Sequence, residues 1–177
     1  VSRLTVQKGL ELLFDALPNT LQQRELAFVA LGSGDVHYER FFTHLQQQFP
    51  GRVLYQRGYS EELAHWIEAA SDFFVMPSLY EPCGLNQMYS LRYGTVPVVR
   101  RTGGLADSVQ LYEPSTGRGT GILFDDFNGQ AMAWALGTAL DLYAKPDHWR
   151  RMMLNGMAQD FSWDKQGAQY VELYQRL

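Results

Sequence analysis

The sequence predicts an α/β fold in which helices cover both faces of a parallel sheet. Short apolar runs alternate with amphipathic helical stretches through most of the 177 residues, a pattern typical of parallel strands joined by crossover helices. The apolar runs are nearly continuous, as expected of strands that are covered on both sides. The length fits one domain, and 46% hydrophobic residues suffice for a packed core.

The first half of the chain contains three predicted strands and three predicted helices. The strands lie at 26–31, 53–55 and 72–76. The helices are expected at about 8–17, 36–49 and 62–70, where apolar residues recur at helical spacing. Pro18 is expected to end the first helix, and Ser60 is expected to cap the third. Val1 and Ser2 resemble the end of a further strand.

The second half contains the remaining two strands and four predicted helices. The strands lie at 96–99 and 121–124. The helices are expected at about 85–93, 129–143, 146–159 and 163–177. Asp125 and Asp126 are expected to cap the helix that begins near residue 129. The helices from about residue 129 onward are expected to pack on the sheet or toward a partner domain.

Composition narrows the classes of function. The formal net charge is −4, from 15 Lys and Arg against 19 Asp and Glu, which favours neither nucleic acid nor a membrane surface as a partner. Cys83 is the only cysteine, so the chain forms no internal disulfide, and a reducing compartment is favoured. We expect Cys83 to be a small buried residue rather than a nucleophile. Because the sequence opens without methionine, directly before a turn, we expect a domain of a longer protein.

One loop concentrates the candidate chemistry. The strand at 72–76 ends at Pro77, and a short loop carrying Glu81 leads to Gly84, where a helix begins. In open α/β sheets ligands bind at the carboxyl ends of strands, and a helix N-terminus there offers free N–H groups to an anion. The N–H groups near Gly84, Leu85 and Asn86 suit a phosphate, while Glu81 suits sugar hydroxyls. The alternative is an ordinary Pro/Gly loop with a solvated glutamate.

Other candidates follow neighbouring strands at the same edge. Arg3 and Lys8 bracket the first strand-to-helix turn, where two cations could hold a diphosphate or could simply be solvated. Tyr59 follows the strand at 53–55, where its ring could stack on a nucleobase or lie half-buried. Gly103 and Gly104 follow the strand at 96–99 and permit close approach of a ligand. The alternative there is a turn with two exposed arginines.

Four ordered blocks carry a family resemblance. The blocks are Val1–Gly9, Pro77–Leu85, Tyr93–Asp107 and Asp160–Trp163. With their order and spacing they resemble the C-terminal half of bacterial glycogen synthases and plant starch synthases, over nearly the whole chain. These proteins are retaining glycosyltransferases with two Rossmann-like domains, the B-type fold. The resemblance therefore implies that residues 1–177 form the nucleotide-sugar donor domain.

The resemblance also implies roles for individual residues. Arg3 and Lys8 would hold the donor diphosphate and stabilise its charge as it leaves, and Glu81 would orient the glucose through its hydroxyls. The remaining donor-binding positions it implies are Tyr59 near the adenine, Gly84, Leu85 and Asn86 at a phosphate, and Thr102, Gly103 and Gly104 along the sugar–phosphate crevice. Many bacterial relatives have threonine where this chain has Asn86, whose amide can still bond a phosphate.

The implied reaction transfers glucose from ADP-glucose to the non-reducing end of an α-1,4-glucan with retention. No cofactor is expected, and no metal ion, because no carboxylate cluster suits Mg²⁺. The family's N-terminal half supplies the acceptor side of the cleft, so these residues alone are expected to be inactive. The implied location is the cytoplasm for a bacterial protein and the plastid stroma for a plant one.

Three other functions remain compatible with the sequence. A B-type transferase that uses a UDP-sugar differs in donor preference. A non-catalytic glucan-binding module is disfavoured because most aromatic residues fall on helical faces at core spacing. A regulatory nucleotide-binding domain without catalytic activity is the third alternative. Tyr89 occupies the position, eight residues after Glu81, where other sugar transferases have a second glutamate; this favours the glycogen and starch branch.

Overall fold

A computed structural model describes residues 1–176, and its five strands confirm the predicted α/β fold. The strands are β1 (Phe28–Gly32), β2 (Val53–Arg57), β3 (Phe73–Met76), β4 (Val96–Arg100) and β5 (Ile122–Phe124). Strands β1 and β2 pair with each other, and β3, β4 and β5 pair in that order, so the strands form two parallel sheets where the sequence predicted one. Every pairing is parallel, so the carboxyl ends within each sheet lie at one edge.

Eight α-helices connect and cover the strands of the described chain. They are α1 (Leu13–Gln23), α2 (Val36–Gln48), α3 (Glu61–Ala70), α4 (Asn86–Tyr93), α5 (Gly103–Ser108), α6 (Gly129–Tyr143), α7 (Pro146–Met157) and α8 (Trp163–Gln175). Two 3-10 turns, Val6–Lys8 and Leu10–Leu12, precede α1. The predicted cap of α3 is confirmed, since the Leu63 N–H donates to Ser60 Oγ at 3.2 Å. The short helix α5 was not expected from the sequence.

The prediction that Pro18 ends the first helix is wrong. Pro18 lies inside α1, which continues to Gln23. A proline there removes one backbone hydrogen bond and costs about 3 kcal/mol. Leu17 and Leu21 are 1% and 0% exposed in the same helix, and burial of each leucine contributes about 1.5–3 kcal/mol. Continuing the helix past the proline is therefore favourable, because it buries the apolar face of the second turn.

The predicted cap of α6 is also wrong. Asn128 occupies the N-cap, and its side-chain oxygen accepts a hydrogen bond from the Ala131 N–H at 2.8 Å. Asp125 instead pairs with Arg101, with 2.7 Å between Oδ1 and Nε. The sequence offered three suitable capping residues within four positions. The helix begins at the one nearest its first turn.

The two sheets share one hydrophobic core. Residues Ser2–Leu4 extend along β1, where the Ser2 N–H donates to the Leu31 carbonyl at 3.1 Å and the Leu4 N–H to Ser33 at 2.9 Å. This extended segment corresponds to the strand end that was predicted at Val1 and Ser2. A cavity of about 420 Å³ is lined by residues of both β1 and β3. Helices α1 and α6 pack together and contribute side chains to a core that includes both sheets.

Helices cover both faces of the sheet formed by β3, β4 and β5, as predicted. Helix α6 packs on one face, where Met132 and Ala135 are fully buried. On the other face, Leu105 of α5 joins a second cluster with Phe74 and Val99. Helix α7 packs against α4 and α6. Helix α8 differs, since none of its residues is buried.

Candidate donor-binding site

The site forms where the loop after Leu4 meets the loop after β3. The Leu79 N–H donates to the Gln7 carbonyl at 2.9 Å, and Gln7 Nε2 donates to the Tyr80 carbonyl at 3.1 Å. Gly9 has a φ of +62°, and a Cβ there would overlap the Pro77 carbonyl oxygen. Only glycine suits both this backbone conformation and this close approach. The two loops are therefore held against each other at the carboxyl ends of the strands.

Lys8 and Glu81 form an ion pair across these loops. Lys8 Nζ lies 2.6 Å from Glu81 Oε2, and Ser78 Oγ donates to the same oxygen at 3.2 Å. The residue Glu81 is 7% exposed, so the alternative of a solvated glutamate is wrong. Within residues 1–176 the second oxygen, Oε1, has no hydrogen-bond partner. Two donors thus orient the carboxylate and leave one oxygen for a ligand hydroxyl.

The start of α4 supplies unpaired backbone donors. Gly84 adopts a φ of +71°, and the helix begins two residues later at Asn86. Within the described chain, the N–H groups of Gly84, Leu85 and Asn86 have no hydrogen-bond acceptor. The first N–H groups of any helix lack a partner in that helix and attract anions. The structure therefore leaves three N–H groups free where the loop sequence indicated an anion site, and phosphate binding there stays a prediction.

These groups line one pocket of about 400 Å³. Its lining contains the predicted site residues Arg3, Lys8, Tyr59, Glu81, Gly84, Leu85 and Asn86. Arg3 is exposed, and the Tyr59 ring is free at the rim, with 78% of the residue exposed. The alternative of a half-buried Tyr59 is thus wrong. Two cationic side chains and one carboxylate give the pocket a net positive charge, which suits an anion.

The remaining predicted residues lie behind the loop that carries Glu81. The Gly104 N–H donates to the Glu81 carbonyl at 2.9 Å. A Cβ at Gly103 would overlap the Glu81 carbonyl oxygen, and one at Gly104 would overlap that of Cys83. Thr102, the N-cap residue of α5, precedes these glycines. The structure therefore gives this segment contacts that support the loop, and its direct contact with a donor stays a prediction.

Sequence reasoning missed two residues that hold the loop. One is Ser78, which is 1% exposed beneath Glu81. The other is Arg100, which donates from Nη1 to the Leu79 carbonyl at 2.8 Å and from Nε to the Asp125 carbonyl at 3.1 Å. The alternative of two exposed arginines is wrong for Arg100, which is half-buried, whereas Arg101 is exposed and pairs with Asp125. Arg100 ends β4 beside β3, so the strand order was the signal that could have identified it.

Cys83 is exposed, so the expectation of a buried cysteine is wrong. Its loop turns outward between Pro82 and Gly84, and its Sγ lies 3.4 Å from the Gly84 carbonyl oxygen. Across residues 1–176, no cluster of three or more His, Cys, Asp or Glu side chains is placed to bind a metal ion. No helix in this part of the chain has the length and apolar character needed to cross a bilayer.

Comparison with known proteins gives consistent results. The family model for glycosyl transferases group 1 matches residues 1–153. A glycogen synthase of Thioalkalivibrio sulfidiphilus is 51% identical over 180 residues, which cover 100% of this chain and 37% of that protein. A glycogen synthase of Koribacter versatilis is 48% identical over 176 residues, 99% of this chain and 36% of that protein. The chain thus spans just over a third of the length of these relatives.

Solved structures show the same relationship. The catalytic domain of starch synthase IV from Arabidopsis thaliana, bound to ADP and acarbose, superposes with a TM-score of 0.86 at 40% identity. The match covers 99% of this chain and 37% of that one. Sucrose-phosphate synthase from Thermosynechococcus elongatus gives a TM-score of 0.74 at 26% identity, covering 99% and 44%. The resemblance to glycogen and starch synthases that the four sequence blocks indicated is confirmed.

Proposed function

The chain belongs to the glycosyl transferases group 1 family, and from this premise we propose that it is the ADP-glucose-binding domain of a glycogen or starch synthase. The observation that carries the proposal is the pocket in which Arg3, Lys8 and the start of α4 surround one oriented carboxylate. A starch synthase that is 40% identical and whose structure contains ADP also supports the proposal. The proposed reaction is glucose transfer to an α-1,4-glucan with retention.

The pocket fits the charge changes of this reaction. The bond between glucose C1 and the diphosphate oxygen breaks, and ADP leaves with the electron pair. A glucan hydroxyl forms the new bond to C1, and its proton goes to the departing diphosphate oxygen. The developing negative charge lies on the diphosphate, where Arg3, Lys8 and the N–H groups of Gly84 and Leu85 would stabilise it in a preorganised site. We propose that no metal ion or cofactor takes part.

Glu81 is proposed to orient the sugar. Lys8 and Ser78 hold its Oε2, so Oε1 would accept a hydrogen bond from a glucose hydroxyl. A carboxylate fixed in this way positions the reacting carbon for attack. Lys8 would then lie between two anionic groups, Glu81 and the diphosphate, which would link sugar placement to phosphate binding.

Tyr59 is proposed to stack on the base. Its ring is free at the rim of the pocket, and every base has a face on which an aromatic ring can stack. Stacking therefore leaves the choice between adenine and uracil to other contacts. The names of the relatives and the ADP in starch synthase IV support ADP-glucose.

The acceptor and the rest of the cleft are proposed to lie outside these residues. The chain spans only 36–37% of its glycogen synthase relatives, so we propose that it does not elongate a glucan by itself. The apolar residues exposed on α8, including Trp163 and Tyr174, would pack on the N-terminal part. We propose the cytoplasm as the location for a bacterial protein and the plastid stroma for a plant one.

A calorimetric titration of the chain with ADP, and with UDP for comparison, tests the proposal. We expect saturable ADP binding that is weaker for UDP and at least about tenfold weaker in the Arg3→Ala/Lys8→Ala variant, which is a loss of about 1.4 kcal/mol or more. An Arg40→Ala/Arg150→Ala variant removes the same charge from exposed positions outside the pocket and should bind as the unmodified chain does.

Circular dichroism establishes that each variant is folded. Absence of ADP binding by the folded chain would contradict the placement of the donor site. Glucan elongation from ADP-glucose by this chain alone would contradict the assignment of the acceptor side to other residues.

A further inference from the structure

We propose that Gln87 and Ser108 are positioning residues for the phosphate cradle, the backbone of residues 83–86. Both lie beneath the cradle, outside the pocket lining, and the inference rests on the proposed function. Gln87 is on the first turn of α4 and is 0% exposed. Ser108 is the last residue of α5. Together they connect the phosphate cradle to the backbone of Glu81.

Gln87 fixes the direction of the cradle's N–H groups. Its Nε2 donates to the carbonyl oxygens of Cys83 at 2.9 Å and Gly84 at 3.1 Å. In a trans peptide the C=O and the following N–H point in opposite directions. Drawing the carbonyls of Cys83 and Gly84 onto Gln87 therefore turns the N–H groups of Gly84 and Leu85 away from it. These are the N–H groups proposed to bind the diphosphate.

The amide oxygen of Gln87 indicates that this side chain acts through its N–H groups. Its Oε1 is buried and has no hydrogen-bond partner within residues 1–176. A buried unpaired acceptor is unfavourable, because it has lost its hydrogen bonds to water. Reversing the amide would place its oxygen against two carbonyl oxygens, so the donor end is fixed in position. The loop keeps a glutamine here for its two N–H groups, despite the unpaired oxygen.

Ser108 extends the connection to the sugar side of the pocket. Its Oγ accepts from Gln87 Nε2 at 3.1 Å, so the two N–H groups of that amide are shared among three acceptors, and it donates to the Gly104 carbonyl at 2.6 Å. The Gly104 N–H in turn donates to the Glu81 carbonyl at 2.9 Å. One hydrogen-bond network thus joins the phosphate cradle, α5 and the backbone of the residue proposed to orient glucose. A shift of the cradle would be transmitted to both parts of the donor site.

Backbone NMR on the whole chain tests the network without a ligand. In the unmodified chain we expect ¹⁵N order parameters near about 0.85 for the Gly84 and Leu85 amides, falling below about 0.6 in Gln87→Met, which keeps the volume and removes the donor. Ser108→Ala should lower them partly. Ser108→Thr retains the hydroxyl and should restore them.

ADP titration of the same samples tests the consequence for binding. Loss of the cradle geometry should weaken ADP binding about tenfold in Gln87→Met, which is about 1.4 kcal/mol, and about threefold in Ser108→Ala. At saturating ADP the Tyr59 amide should still shift in Gln87→Met, while the shifts of Gly84 and Leu85 are lost. A merely structural role would affect all three signals alike.

Ser71→Ala is the matched control. The Ser71 hydroxyl also donates to a carbonyl four residues earlier, that of Ile67, at 2.6 Å, but at the end of α3 and outside the network. It should change neither order parameters nor ADP binding. The proposal would be overturned if Gln87→Met kept the order parameters of the unmodified chain and bound ADP with a dissociation constant within about twofold of its value.

If Gln87→Met does not fold, the Ser108→Ala and Ser108→Thr pair decides by the same two measurements. Equal behaviour of these two variants would overturn the proposal. If ADP shifts no amide of the unmodified chain, the proposed function fails, whereas the order parameters still decide whether Gln87 positions the loop.

Discussion

At the scale of single residues, the Lys8–Glu81 pair is the most informative interaction. Its side chains are 17% and 9% exposed, so each charge has lost most of its water and depends on the other. Removing one partner of a buried pair leaves an uncompensated charge, which is far more costly than removing both. The pair therefore contributes more to the arrangement of the loops than a surface ion pair would.

A double-mutant cycle on this pair should show strong coupling. We expect Lys8→Met alone to lower the free energy of unfolding by about 2–3 kcal/mol, and Lys8→Met/Glu81→Gln to cost less than the sum of the single changes. Urea unfolding measures each variant. The exposed pair Arg24–Asp141, with side chains 42% and 64% exposed, is the control and should show coupling below about 1 kcal/mol. Equal coupling in both pairs would contradict this account of the site.

At the scale of elements, the start of α6 shows how a helix boundary is chosen. Asp125, Asp126 and Asn128 could each cap a helix, yet only Asn128 bonds a first-turn N–H. Asp125 is held in the ion pair with Arg101. Helix α6 packs against α1 and β5, so its boundary affects the core of the domain.

Replacing Asn128 with alanine should destabilise the protein by about 1 kcal/mol, which lowers Tm by about 2–4 °C in a domain of this size. Asp126→Ala, two residues earlier, should change Tm by less than about 1 °C, because Asp126 makes no side-chain bond to the first turn. Thermal unfolding followed by circular dichroism measures both. A larger loss in Asp126→Ala than in Asn128→Ala would show that the cap is misassigned.

At the scale of the whole molecule, one buried carboxyl group couples stability to pH. Glu68 of α3 is 2% exposed, and its Oε2 has no hydrogen-bond partner in the described part of the chain. Burial raises the pKa of Glu68, and the positive charge of His65 and a hydrogen bond from the Asn86 side chain only partly offset this.

The sign of the pH effect follows from the raised pKa of Glu68. A carboxyl group with a raised pKa in the folded state binds its proton more tightly there than in the unfolded chain, so the free energy of unfolding falls as pH rises above about 4.5. Glu68→Gln should therefore be more stable than the unmodified chain at pH 7.5 and should lose this advantage at pH 4. The exposed Glu25→Gln variant should show no such trend. If the difference in free energy of unfolding between Glu68→Gln and the unmodified chain were the same at pH 4 and pH 7.5, titration of Glu68 would not be the cause.

Sequence reasoning predicted those parts of the molecule that depend on local pattern. The five strands and the α4 start at the glycine loop follow from apolar runs and turn residues, which act over a few positions. The roles of Pro18, Cys83 and Arg100 were misjudged because each depends on what packs against it. The burial of Leu17 and Leu21 together offsets the helix-breaking effect of Pro18, and the neighbouring strand gives Arg100 its carbonyl partners.

The candidate site was predictable to the same extent. Parallel strands bring their carboxyl ends to one edge, so the meeting of Lys8 with Glu81 could be expected from topology. The direct contact between the two side chains could not be expected, because it depends on how the two loops pack against each other at Gln7 and Gly9. The sequence gives no sign that Ser78 and Gln87 matter. Ser78 is a small polar residue in a loop, and Gln87 is an ordinary residue of a helix. Their importance comes from buried hydrogen bonds that only the folded chain shows.

The joining of these two loops has a consequence for the order of folding. Residues 73 positions apart in the sequence form the Lys8–Glu81 and Gln7–Tyr80 contacts, and each loop belongs to a different sheet. Closing so long a loop is entropically costly and is compensated only once both halves are in place. The pocket should therefore be among the last parts to form. ADP added during refolding would then bind only molecules that have completed both halves, and its binding rate would report the final step.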